Sequence, residues 1–139
     1  MSKRVILKGQ DIATEEFVNE KIAELPKETL VWTNSDTGST FSRQTVSIDN
    51  LNSYDYVVIY AKSKTNSNFM VNSKSLNGYD GYLYMIDENF NLINRPYTIN
   101  WTLGDIEFDD NMLCDINSPS VTTIDNSKAI PVCIYGGKF

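Results

Sequence analysis

The chain has 139 residues, enough for one domain with a small appendage and for a core that needs no metal or disulfide staple. Twelve basic residues against eighteen acidic ones leave a net charge of −6, and there is no histidine. That balance disfavours nucleic acid, which needs a concentrated basic face, and the missing histidine removes Ser-His and Cys-His nucleophilic pairs.

Val5-Ile6-Leu7 reads as a short strand closed by Gly9. Arg4, Lys3 and Lys8 around it form the basic cluster of the chain, either a solvated strand edge or a docking element for an acidic surface. Ala13 to Leu25 gives the convincing helix signal, stopped by Pro26. Thr14 is the expected N-cap, with Glu15 and Glu16 complementing the dipole in the first turn. Val18, Ile22 and Leu25 make a narrow apolar seam, expected either between chains as an oligomerisation seam or folded back on the chain's own domain. A helix of this length is marginal alone, so something must stabilise it.

From Thr29 onward the signals are β. Leu30-Val31-Trp32 is a strand, Asn34 to Thr40 a polar loop, and Thr45, Val46 and Ile48 a strand ending at the Asp49-Asn50 turn. Asp55 to Ala61 is the strongest strand, β-branched and aromatic through its centre. Lys62 to Asn68 reads as a turn, Phe69-Met70-Val71 as a strand, and Asn77 to Gly81 as a tight turn. Strands are expected at Tyr82 to Ile86, Tyr97 to Leu103, Ile106 to Phe108, Met112 to Ile116, Val121 to Ile124 and Ile130 to Tyr135. Short strands at about 8–12-residue spacing predict an antiparallel β-sandwich or jelly-roll-like head. The expected division is residues 1–28, an attachment strand and oligomerisation helix, and residues 29–139, the head.

Candidate chemistry is sparse. Asp87-Glu88 and Asp109-Asp110 are adjacent carboxylates, which point apart in a turn and do not make a glycosidase pair. No spacing matches a zinc site, an EF-hand or a phosphate loop, so neither a metal nor a cofactor is expected. Cys114 and Cys133 each sit in an apolar stretch and read as reduced, buried structural thiols. Tyr54, Tyr56 and Tyr60, and separately Tyr82 and Tyr84, fall at even spacing, placing each group on one face of its strand. Such faces serve aromatic packing within a sandwich, or a glycan or protein partner. No segment is long and apolar enough to span a bilayer, and the N-terminal stretch lacks the apolar region of a secretory signal.

Three segments carry a resemblance. Ile12 to Pro26 (IATEEFVNEKIAELP) is similar to leaders that precede fibre and spike domains of bacteriophage virion proteins. Leu30 to Asp55, with its Trp-Thr-Asn start, Phe-x-x-Gln-Thr-Val strand and Tyr-Asp step, resembles a small β-domain of structural proteins in tailed phages of Gram-positive bacteria. Ile130 to Phe139 (IPVCIYGGKF) looks like the ending of those domains. The resemblance implies a non-enzymatic viral protein in the virion, made in the host cytoplasm. A capsid decoration or head-fibre protein, a homotrimer held to major capsid or tail proteins by residues Lys3 to Lys8, is the first expectation. A tail-fibre or tail-tip head that recognises host surface carbohydrate is the alternative.

Overall fold

The computed structural model describes residues 4–7, 10–23, 28–64, 66–74, 80–115 and 117–139. Arg4–Leu7 (β1) pairs antiparallel with Gln10–Thr14 (β2), and the helix α1 follows at Glu15–Ala23. Residues 10–14, which include the start of the expected helix, are therefore strand. The helix begins where Thr14 caps it: Thr14 Oγ1 accepts from the Phe17 N–H at 3.1 Å. Glu15 and Glu16 occupy the first turn as expected.

Ten further strands form two antiparallel sheets. The first is ordered β3-β12-β5-β6, from Glu28–Thr33 (β3), Ile130–Gly137 (β12), Tyr56–Lys62 (β5) and Ser67–Ser73 (β6). The second is ordered β11-β10-β8-β9-β4, from Ser118–Ile124, Met112–Asp115, Asn91–Asn100, Asp105–Phe108 and Gln44–Ser47. Asp80–Ile86 (β7) lines the opposite side of β8. These strands thus form an antiparallel β-sandwich, as the spacing of turns predicts, while a jelly-roll connectivity is not established by this strand order.

Alternation along each strand builds the core. Val57, Ile59 and Ala61 of β5 and Ile134 of β12 face Leu83, Ile93, Ile99, Ile106 and Phe108 of the second sheet. Phe41, Phe108 and Trp32 add edge and stacked ring contacts at 5.6 to 6.5 Å. Among the described residues, the core cluster and the side chains packed on it run from Val31 onward.

β8 is the longest strand and departs most from expectation. It starts at Asn91, six residues before the expected Tyr97, and ends at Asn100, with Trp101–Gly104 in a turn. Arg95 takes an inward slot between Ile93 and Tyr97 and is fully buried. Its Nε donates to Ala129 O at 2.8 Å, Nη1 to Asp109 O at 2.7 Å and Nη2 to Lys128 O at 3.1 Å. Its guanidinium also lies 5.3 Å from the Phe41 ring centre. Burial lowers its pKa to about 10, against the pull of Asp110 and Asp109, so it stays charged at neutral pH. Pro96 is tolerated mid-sheet because of where its missing N–H would point. Pro96 O accepts from the Asp109 N–H, so that side of the residue faces the junction between β9 and β10, which pair with β8 on either side of it.

Turn chemistry also shifts. Lys62 closes β5, while Ser67 and Asn68 already belong to β6, so the turn between them is shorter than expected. Asp80 and Gly81 lie in β7, and Asn77 to Tyr79 fall outside the described residues. The β7–β8 turn places Phe90 at φ 61, an unusual left-handed backbone for an aromatic residue, with its side chain 72% exposed.

Candidate functional site

The tyrosines are the natural starting point. Tyr54, Tyr56 and Tyr60 do not share a face. Tyr54 precedes β5, and its ring sits over Gly136 and packs on the core. Tyr56 sits over the next residue, Gly137, and so lies on the outer face. No Cβ fits at either glycine without displacing the ring above it. Tyr56 is further engaged: its hydroxyl donates to Glu28 Oε1 at 3.2 Å and its ring meets Phe139 at 5.2 Å. Tyr60 contacts Phe69 at 5.6 Å and Tyr135 at 5.7 Å. Val58, on that same outer face, is only 3% exposed. The rings of the outer face of the first sheet thus contact one another, while Phe69, Val71 and Leu30 on the same face stay 54%, 57% and 52% exposed.

Tyr82 and Tyr84 do share a face, as the spacing predicts. They stack on each other at 5.5 Å and remain 40% and 45% exposed. They border a cleft of 350 Å³ between β6 and β7. Met70 and Asn72 form the β6 wall, and Tyr97 and Trp101 the floor. Tyr97 donates its hydroxyl to Asn72 Oδ1 at 2.7 Å. Burial raises its pKa to about 12, with the Asn72 bond acting the other way, so the phenol stays protonated. Asn72 Nδ2 reaches Met70 O at 3.5 Å, a long and weak contact. Gly81 is required beneath the Tyr97 ring, where a Cβ would collide with the phenol. Beyond the cleft, Asn68 Nδ2 donates to Tyr84 O at 2.8 Å and Asn66 Nδ2 to Ile86 O at 2.5 Å. These two amides tie the edge of β6 to the edge of β7.

Tyr97, Trp101 and Asn72 do not stand out in the sequence as site residues. Their signal is the alternation Ile93, Arg95, Tyr97, Ile99, Trp101, which the arginine interrupts.

The carboxylate pairs serve turns. Asp87 Oδ1 accepts from the Asn89 and Asn91 N–H groups at 2.9 and 2.8 Å, and its Oδ2 from Asn91 Nδ2 at 3.1 Å. Lys128 Nζ lies 3.6 Å from Asp87 and 3.0 Å from Glu88. Burial opposes ionisation of Asp87, but these bonds and the lysine outweigh it and hold its pKa below the ordinary carboxylate value. Asp110 Oδ1 accepts from the Arg43 N–H at 2.9 Å and from Asn126 Nδ2 at 2.8 Å. Among the described residues no cluster of three metal-binding side chains occurs.

Neither cysteine belongs to the core cluster, which corrects the expectation of deeply buried thiols. Cys133 and Cys114 are half-buried, in no disulfide, and carried by strands of different sheets. Burial still pushes the Cys133 thiol pKa up. Of the expected oligomerisation seam, Val18 is 43% exposed, next to Phe17 at 50%. Leu25, Lys3 and Lys8 lie outside the described residues, as do the side chains of Ile22, Arg4, Val5, Ile6 and Leu7. One edge of β1 is taken by β2 of its own chain. No helix among the described residues is long and apolar enough to cross a membrane.

Comparison with protein-family models, with curated proteins and with solved structures found no match.

Proposed function

We propose that this chain is a non-enzymatic virion structural protein of a tailed bacteriophage, a capsid decoration or head-fibre protein that assembles as a homotrimer. Its N-terminal hairpin and helix attach it, and the β-sandwich is the displayed head. The observation that carries this reading is the helix itself. It is capped and formed, yet it exposes Phe17 and Val18, while among the described residues the core cluster and its packed neighbours run from Val31 onward. Apolar side chains so placed gain burial from another chain. The resemblance of the leader to phage fibre proteins supports the same assignment.

Immunogold labelling of phage particles tests it directly. Labelled heads are expected; particles without label on head or tail would sink the assignment. Deleting residues 1–26 should leave a folded sandwich that no longer binds particles. Full occupancy by the truncated chain would move docking to the sandwich.

A second reading, a receptor-binding head for surface carbohydrate, is favoured by one observation: the exposed, stacked pair Tyr82 and Tyr84 beside an open cleft.

A further inference from the structure

We propose that the outer face of the first sheet is a contact between copies of this chain, in which Leu30, Tyr60, Phe69 and Val71 of one head are covered by the same face of its neighbours. This rests on the homotrimer reading above and gives that assembly a second interface, in the sandwich.

The register makes the face continuous. Residues paired across an antiparallel sheet point to the same side. Leu30, Tyr135, Val58 and Val71 therefore form one row across all four strands. Thr33, Cys133, Tyr60 and Phe69 form the next. Val58 is buried at the centre, and Tyr135 and Cys133 are half-buried. Leu30 on one edge strand, and Phe69 and Val71 on the other, are each more than half exposed, with the ring of Tyr60 between them. Together they open a few hundred Å² of apolar surface, the size class of the largest and often functional patch on a monomer, about 300–600 Å².

Charge selects the occupant. The four strands carry only Glu28 and Lys62 as charged residues, and both stand at strand ends. The whole chain has a net charge of −6, so two copies repel wherever their carboxylates face one another. They meet at least cost across rows that hold none. A basic partner would be drawn instead to exposed carboxylates such as Asp36, Glu107 and Asp109, and an acidic one finds no cation within the rows. The outer face of the second sheet is less suited. It exposes Tyr84, Ile86 and Leu92, but Asn94 interrupts them and Glu107, paired with Arg43, stands on the same side of β9.

Chain connection and area agree. The helix α1 leads into β3, and the stretch from Ala23 to Glu28 spans at most about 18 Å. Copies joined through α1 are thus brought together beside this sheet. A stable interface buries about 800 Å² per partner, more than the sheet patch offers alone. Phe17 and Val18 of α1 add exposed apolar surface to the same assembly.

The test uses the full chain and sedimentation velocity over a range of concentrations, with circular dichroism as the check on folding. The wild type is expected to sediment as an oligomer. Phe69→Lys and Val71→Lys, made separately, should each weaken association at least about tenfold, because an exposed position accepts a charge in a lone copy and not between copies. Ile86→Lys, about as exposed on the second sheet, should change nothing. A photo-crosslinking residue in place of Phe69 gives a readout free of added charge. Mixed heavy and light chains should yield links between copies to residues 28–33, 56–62, 67–73 or 130–137. If the wild type is monomeric at every concentration, this proposal and the homotrimer reading both fall. If it is oligomeric and ignores both lysine variants, the face assignment falls, and loss of the oligomer with Val18→Asp then leaves the helix-borne trimer standing. Links to the second sheet alone, or dissociation by Ile86→Lys alone, also overturn the assignment.

Discussion

Tyr60 on β5 and Tyr84 on β7 look alike in the sequence, each in an apolar, alternating strand and each pointing away from the core. Their neighbours differ. Around Tyr60, Phe69 and Tyr135 supply ring contacts from both adjacent strands, because β5 has a partner on each side. Among the described residues, Tyr84 has its ring partner along its own strand, in Tyr82, and beside it β7 borders the cleft. An outward aromatic residue on a central strand thus gains ring neighbours on both sides, and one on an edge strand does not, although Tyr60 at 36% is only slightly less exposed than Tyr84 at 45%. Strand position, which comes from topology, separates the two roles.

The largest expected effect concerns the frame that holds both sheets. Arg95→Met should destabilise the chain by about 3 kcal/mol, because three carbonyls, that of Ala129 buried and those of Asp109 and Lys128 partly so, would lose their donor. Denaturant unfolding measures it; a loss below about 1 kcal/mol would mean that water replaces the guanidinium. The glycines come next. Gly81→Ala should cost about 1–3 kcal/mol, since the buried Tyr97 ring has little freedom to move aside. Gly137→Ala should cost about 1 kcal/mol or less, because Tyr56 can swing outward and forfeit only its Phe139 and Glu28 contacts. Equal costs would erase the distinction between an inward and an outward ring.

The tyrosines themselves sharpen the comparison further. Tyr60→Ala should lose about 1–2 kcal/mol of stability and Tyr84→Ala about half of that, read as a difference in thermal midpoint. The reverse order would place the stronger ring contacts on β7. The smallest effect is one of pH. Asp87 has a lowered folded-state pKa, so its contribution is complete above the ordinary carboxylate value of about 3.9 and disappears as pH falls through the folded value. Asp87→Asn should flatten the acid limb of the stability curve at the β7–β8 turn. An unchanged acid limb would show that other carboxylates set it.

Much of this architecture is legible in the sequence where apolar alternation is unbroken. β5, β9 and β12 are found almost to the residue, because Val57, Ile59, Ile106 and Ile134 announce an inward face. The first half of β8 is hidden, since Asn94, Arg95 and Pro96 all have poor strand character. The arginine is stabilised by carbonyls from residues 14, 33 and 34 positions away, which no local pattern contains. The same distance effect separates Tyr54 from Tyr56: the spacing is even, but Tyr54 lies outside the strand, and Gly136 and Gly137 receive the two rings on opposite faces. The cleft was illegible for a related reason. It lies between β6 and β7, strands of different sheets that two asparagine side chains join.

The buried guanidinium also limits how β8 can be misassembled. Sliding a strand by one residue reverses its faces, so the apolar pattern already forbids that error. Sliding it by two does not: Ile93, Tyr97 and Ile99 would still point inward, and an all-apolar strand would barely register the mistake. Arg95 registers it at once, because its three acceptors sit at one height in the sandwich and a two-residue shift carries the cation away from them. An uncompensated charge in the core penalises that alternative heavily. The arginine acts as a positional key, discriminating between arrangements that hydrophobicity alone would leave nearly degenerate.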